Sequence, residues 1–228
     1  MSILDRSTLR DAQTVDYVDS SAISGHKVLR NTYMLLSMTL LFSAITAGVS
    51  IAFALPSMGI IVTLIGYFGL LFLTAKLRNS AWGIASVFAL TGFMGLTLGP
   101  IISRYLGMPG GSGIVMNAMG LTAVIFMGLS AYVLISKRDF SFMGGFLAVG
   151  VLVAFVAGLG AMFFEVPALS IAVSAAFVLL MSGMILFETS NIIRGGETNY
   201  IMATVSLYIT IFNLFTSLLQ ILGFMEKE

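Results

Sequence analysis

The chain of 228 residues contains no cysteine and a single histidine, and only 9% of it is charged. Without thiols there is no disulfide framework, thiolate nucleophile or cysteine metal site, and nothing to read about redox compartment. An intramembrane metalloprotease needs at least two histidine ligands, and His26 stands alone near the N-terminus. Asp5, Asp11, Asp16, Asp19 and Asp139 all lie in the N-terminal stretch or a loop, so the two embedded aspartates of an aspartyl protease are missing. A serine nucleophile needs a base, and no lysine or histidine lies inside an apolar segment. These absences argue against an enzyme and leave no residue set for a metal or cofactor. The formal net charge of +1 points to neither nucleic acid nor an anionic partner.

What the chain does have is apolar length. It is 58% hydrophobic with a mean hydropathy of +1.05, a composition that leaves no polar surface for water and identifies an integral membrane protein. Because a bilayer core takes about 20 apolar residues at 1.5 Å rise, the charges and turn residues divide the chain into transmembrane helices. The seven expected spans are about 31–55, 59–75, 81–103, 114–135, 140–164, 168–193 and 200–224. The expected fold is therefore an all-α bundle, with residues 31–225 as one transmembrane domain. Residues 1–30 have mixed charge and no apolar run, which predicts a retained polar cytoplasmic tail, disordered or transiently helical, rather than a signal peptide.

Counting lysine and arginine by side sets the orientation. With the N-terminus cytoplasmic, nine lie inside and only Arg104 and Lys227 outside, so the C-terminus is expected to be periplasmic. Small residues recur at helical spacing in the third span (Gly92, Gly95, Gly99) and the fifth (Gly150, Ala154, Gly158) and read as helix-packing faces. Thr39, Ser43, Thr46 and Ser50 form a polar stripe in the first span, expected to pair with a similar stripe in the seventh. Arg104 and Trp82 read as interface anchors, and the 15 methionines as adaptable packing.

The stretch from Ile185 to Gly223 concentrates the polar chemistry. Glu188 lies roughly 12 Å from the midplane of the sixth span, still inside the hydrocarbon. Two roles are open to it: an interior polar site, or a helix-end carboxylate reaching headgroup water. Asn191 follows one turn on, then the turn carrying Arg194 and Glu197 (RGGETN), in which the glycines can close one helix and Thr198 or Asn199 can cap the next. In the seventh span Ser206, Thr210, Asn213, Ser217 and Gln220 share one face at spacings 4, 3, 4, 3. Glu188, Asn191, Thr210 and Asn213 are the candidate interior polar site. The stripe alone would equally serve as hydrogen-bonding glue between helices.

The run FETSNIIRGGETNYIMATVSLYITIFNLFTSLLQILG, with GHKVLRNTYMLLSMTLLFSAITA, FALTGFMGLTLGPIIS and AYVLISKRDFSFMGG, resembles the Bax inhibitor/YccA family, in particular its YccA branch. The likeness extends from about His26 to the end and is weak before Ser24. It implies a multi-pass inner-membrane protein with the seventh helix central. It also implies a partner, because the YccA branch is implicated in binding and restraining FtsH, a membrane-anchored ATP-dependent protease. Other members are calcium-leak channels gated by two carboxylates. Carried onto this chain, one falls on Glu188 and the other on Thr210, which is not acidic; that departure weighs against a carboxylate-gated calcium leak and leaves a calcium or proton leak or exchanger with Glu188 on its path as the weaker alternative.

Overall fold

In hydrocarbon every backbone N–H and C=O must be satisfied within the chain, so uncharged runs of this length have to become helices. The computed structural model describes the backbone of residues 3–226 and the side chains of residues 26–226. Its helices are α1 (Ile3–Ala52), α2 (Ile60–Leu77), α3 (Trp82–Leu106), α4 (Gly111–Ser136), α5 (Gly144–Phe163), α6 (Pro167–Ile193) and α7 (Tyr200–Met225). A single 3₁₀ turn, Ser141–Met143, precedes α5. Seven of these stretches are long and apolar enough to cross a membrane, the first from His26 to Ala52. There is no strand among the described residues.

Several boundaries differ from the sequence expectation by a few residues, and two of the differences have an identifiable physical reason. Where a disordered or transiently helical tail was expected, α1 runs back to Ile3. That stretch contains no proline, and Gly25 alone weakens helix propagation from the span behind it. Its charged side chains before His26 lie outside the described residues. The fourth span begins at Gly111 rather than 114, because Gly110, at φ 65°, adopts the left-handed conformation that starts the helix immediately.

The seventh helix is the centre. It packs against α1, α3, α4 and α6, whereas α2 rests on α3 and α5 on α6 at the outside. Ile201, Leu207, Tyr208, Leu214 and Leu219 of α7 are essentially inaccessible and feed two apolar clusters, one nearer each end of the bundle. The glycines of α3 set the closest approach. A Cβ on Gly95 would collide with Thr46 and the Ser43 carbonyl, one on Gly99 with Ser50, and one on Gly92 with Phe42. In α5, Gly150 similarly admits Leu180 of α6. The polar stripe of α1 therefore lies against α3 and does not meet the stripe of α7. Thr39 and Thr46 bond back to Leu36 and Ser43 carbonyls, and Ser50 Oγ donates to Leu96 O at 2.9 Å. Ser43 is the member that reaches α7.

Three connections meet at one end of the bundle. Asn199 caps α7, its side-chain oxygen accepting from Ile201 N and Met202 N at 3.0 and 3.1 Å. Its amide nitrogen donates to Arg78 O and Asn79 Oδ1, tying the α6–α7 turn to the α2–α3 turn. Arg194 Nη2 donates to Lys137 O at 2.9 Å and ties the same turn to the α4–α5 loop. Helix α6 stops because Gly195 takes φ 75°, so that Gly195 N bonds Ile192 O and Gly196 N bonds Asn191 O. This is the paired closure that a glycine after the last helical turn permits.

Candidate functional site

Glu188 sits in the last third of α6, 6% exposed, with its carboxylate turned to α7. Thr210 Oγ1 approaches its two oxygens at 3.1 and 3.0 Å. One hydroxyl carries one proton, so the two contacts are a single donor shared across the carboxylate. Ser206, one turn earlier on α7, approaches the same group. No lysine or arginine pairs with Glu188 among the described residues, whose ion pair joins Arg194 Nε to Asp139 Oδ1 at 3.6 Å. Of the two roles left open by the sequence, the geometry gives the interior one.

The other candidates go elsewhere. Asn191 is half-buried; its backbone carbonyl accepts from Gly196 N at 2.9 Å at the end of α6, and its side chain lies beside Gly196 with no hydrogen bond to Glu188 among the described residues. Asn213 is half-buried and its amide donates to Ile209 O at 2.9 Å, one turn back on its own helix. Arg194 and Glu197 shape the turn, Glu197 Oε1 accepting from Asn199 N at 2.7 Å. So the structure brings together two members of the candidate quartet, and the stripe on α7 divides. Thr210 and Ser217 are buried, while Ser206, Asn213 and Gln220 remain partly accessible.

Several residues beyond the sequence candidates complete the polar interior. Thr189, fully buried, lies 3.4 Å from both Tyr33 Oη and Ser130 Oγ, linking α6 to α1 and α4. Ser190 Oγ accepts from Phe140 N at 3.1 Å and fastens the α4–α5 loop. Tyr208 Oη lies 2.6 Å from Ser43 Oγ and donates to Thr91 O at 3.3 Å, joining α7, α1 and α3. The signal for the first two was the unbroken run Glu188-Thr189-Ser190-Asn191, which covers a full helical turn and so must face several neighbours at once.

Outside the membrane spans, Asp139 has its carboxyl held below the ordinary value of 3.8. The main cause is the Ser141 hydroxyl, which donates to Oδ1 at 2.6 Å. The Ser141 backbone N–H, at 2.9 Å, adds to it. The effect is to stiffen the entry to α5.

Chemically, this arrangement suits holding helices together better than holding an ion. Calcium takes about 6–8 hard oxygen ligands. Around Glu188 there is one carboxylate with the hydroxyls of Thr210 and Ser206, a set too small for that ion. Among the described residues no three histidine, cysteine, aspartate or glutamate side chains form a metal-binding group.

Residues 25–227 match the family described as "Inhibitor of apoptosis-promoting Bax1". The chain is 55% identical over 209 residues to "Modulator of FtsH protease YccA" of Escherichia coli K12, covering 92% of this chain and 95% of that protein. It is 54% identical to an uncharacterised protein of Pseudomonas aeruginosa over 92% and 97% of the two chains. A membrane protein of Vibrio cholerae is 47% identical over 89% and 92%. A seven-span helical membrane bundle built round its last helix, matched nearly end to end by such relatives, makes this chain a member of the Bax inhibitor family.

Proposed function

We propose that the protein is a non-enzymatic regulator in the bacterial inner membrane that binds the membrane-anchored protease FtsH and restrains it. The observation that carries this reading is the 55% identity, over nearly the whole of both chains, to a protein described as a modulator of FtsH. The geometry agrees with a role that needs a durable bundle rather than a reacting site, since Glu188, Thr189, Ser190 and Tyr208 each fasten one helix or loop to another. In this reading the N-terminus is cytoplasmic, and the segment before His26 is the handle the protease engages. The closely packed α1–α3 pair behind it resists extraction and so occupies the enzyme.

Co-purification from native membranes tests the proposal. FtsH is expected with the tagged chain, and overproduction of the chain is expected to slow turnover of FtsH membrane substrates. Absence of FtsH together with unchanged turnover would sink it. A calcium or proton leak through the Glu188 region is supported less, because Thr210 stands where a second carboxylate would face Glu188. In liposomes the parent chain and Glu188→Gln are expected to pass these ions no faster than empty vesicles.

A further inference from the structure

The packing of α7 leaves one strip of the central helix uncovered. Met202, Ser206, Ile209, Asn213, Thr216 and Gln220 are partly exposed and spaced 4, 3, 4, 3, 4. Apart from Phe212, they are the only residues between Ile201 and Gln220 that α7 does not bury. That spacing is the 3.5-residue seam along which one helix receives another in left-handed packing. It also differs from a lipid-facing strip in chemistry, since four of its six residues carry a hydroxyl or an amide. Asn213 lies at the middle of α7, where the bilayer has nothing to hydrogen-bond with it.

Part of this polarity is already satisfied within the chain. Thr216 Oγ1 donates to Phe212 O, Asn213 Nδ2 to Ile209 O, and Gln220 Oε1 accepts from Ser174 Oγ at 2.8 Å. Among the described residues Asn213 Oδ1 and Gln220 Nε2 have no partner, which leaves one acceptor and one donor group two turns apart on the seam. Helix α3 stands on one side, where Gly83 meets Ile201 and Tyr105 meets Gly223. Helix α6 stands on the other, through Glu188 and Thr210. The seam residues are therefore the floor of a groove rather than a crest. A single helix about 10–12 Å across can lie in such a groove, whereas a second copy of the bundle would bring a floor equally recessed behind its own walls.

We infer that the α3–α7–α6 groove docks one transmembrane helix of a partner protein, a helix whose facing residues offer a donor to Asn213 and an acceptor to Gln220. For the partner's identity, the membrane segment of FtsH, this rests on the function proposed above. Small or polar residues at seam spacing on that helix would allow the approach.

A photo-crosslinking residue is placed at Ser206 and, for comparison, at the lipid-facing positions Phe72 and Ile135, 73% and 83% exposed. Adducts formed in native membranes are mapped by mass spectrometry. Position 206 is expected to join a transmembrane segment of another membrane protein, FtsH if the functional reading holds, and positions 72 and 135 are not. In the Asn213→Leu/Gln220→Leu variant that adduct should fall about tenfold, the ratio two interhelical hydrogen bonds of average strength support. Asn213→Gln, which keeps the amide, should restore much of it. Adducts at 206 with lipid alone, or with a second copy of the chain, overturn the groove assignment, as does a yield unchanged in the double variant. An adduct that maps to the transmembrane segment of a protein other than FtsH, with no FtsH in the pull-down, keeps the groove and removes the proposed function instead.

Discussion

Glu188 and Thr210 show how much one hydroxyl can matter in this interior. Thr210→Val keeps the volume and removes the donor shared by the two carboxylate oxygens, leaving a buried acid with less to bond. A loss of about 1–3 kcal/mol is expected, read as a lowered melting temperature in detergent. In a Glu188→Leu background the same replacement should cost much less, because the acceptor is gone, and additive losses would refute the pairing. At Asp139 the sign of the pH effect is set by the Ser141 hydrogen bonds. Its folded-state pKa lies below the unfolded one, so its contribution is complete above the unfolded value near 3.8 and is lost as pH falls through the lower folded value. The melting difference between the parent and Asp139→Ala should be steady from neutral to mildly acid conditions and shrink below pH 3.8. A gap that persists unchanged into stronger acid would mean that another interaction carries it.

At the level of helices, the legible part was whatever hydrophobic length and turn chemistry determine. Spans ended where charge made hydrocarbon untenable or where a glycine turn closed the helix, and Asn199 caps α7 as its residue type suggests. The glycines of α3 and α5 were readable as packing faces because nothing else explains small residues at that spacing. Partner choice was not readable. The α1 stripe could face any neighbour, and the α3 glycines decided the matter by admitting it more closely than the bulkier α7 could. Asn213 is only half-buried for a related reason: a face spanning Thr210 to Gln220 is wider than the contact with α6, so its edge is left partly open. Gly95→Leu tests the α1–α3 contact. Its side chain has no room beside Thr46 and Ser43, and the variant is expected to accumulate poorly or melt far below the parent, whereas Gly120→Leu, with open space around it, should be tolerated.

For the whole molecule, the distribution of basic residues carries the topological expectation. Lys76, in the last turn of α2, and Arg78, Lys137, Arg138 and Arg194, in the three connections, gather at one end of the bundle, and Arg104 lies near the other. With Ser57→Cys and Ser80→Cys variants, both at exposed loop positions, an impermeant maleimide added to intact cells from which the outer membrane has been stripped should label the first and spare the second. The reverse pattern would place the N-terminus outside and remove the handle from the protease's reach.

The glycine-lined contact between α1 and α3 also decides how the bundle answers force. A pull applied at the N-terminus acts along the axis of α1, whose main packing partner is α3, with Gly92, Gly95 and Gly99 seated against Phe42, Thr46 and Ser50. The load is then one of shear, in which interlocked ridges such as Thr46 under Gly95 and Ser50 under Gly99 must all slip together. A helix peeled from its end would give them up one at a time. Since forced unfolding is governed by the barrier rather than by the equilibrium, a pull from this terminus should meet a higher barrier than a pull from a loop.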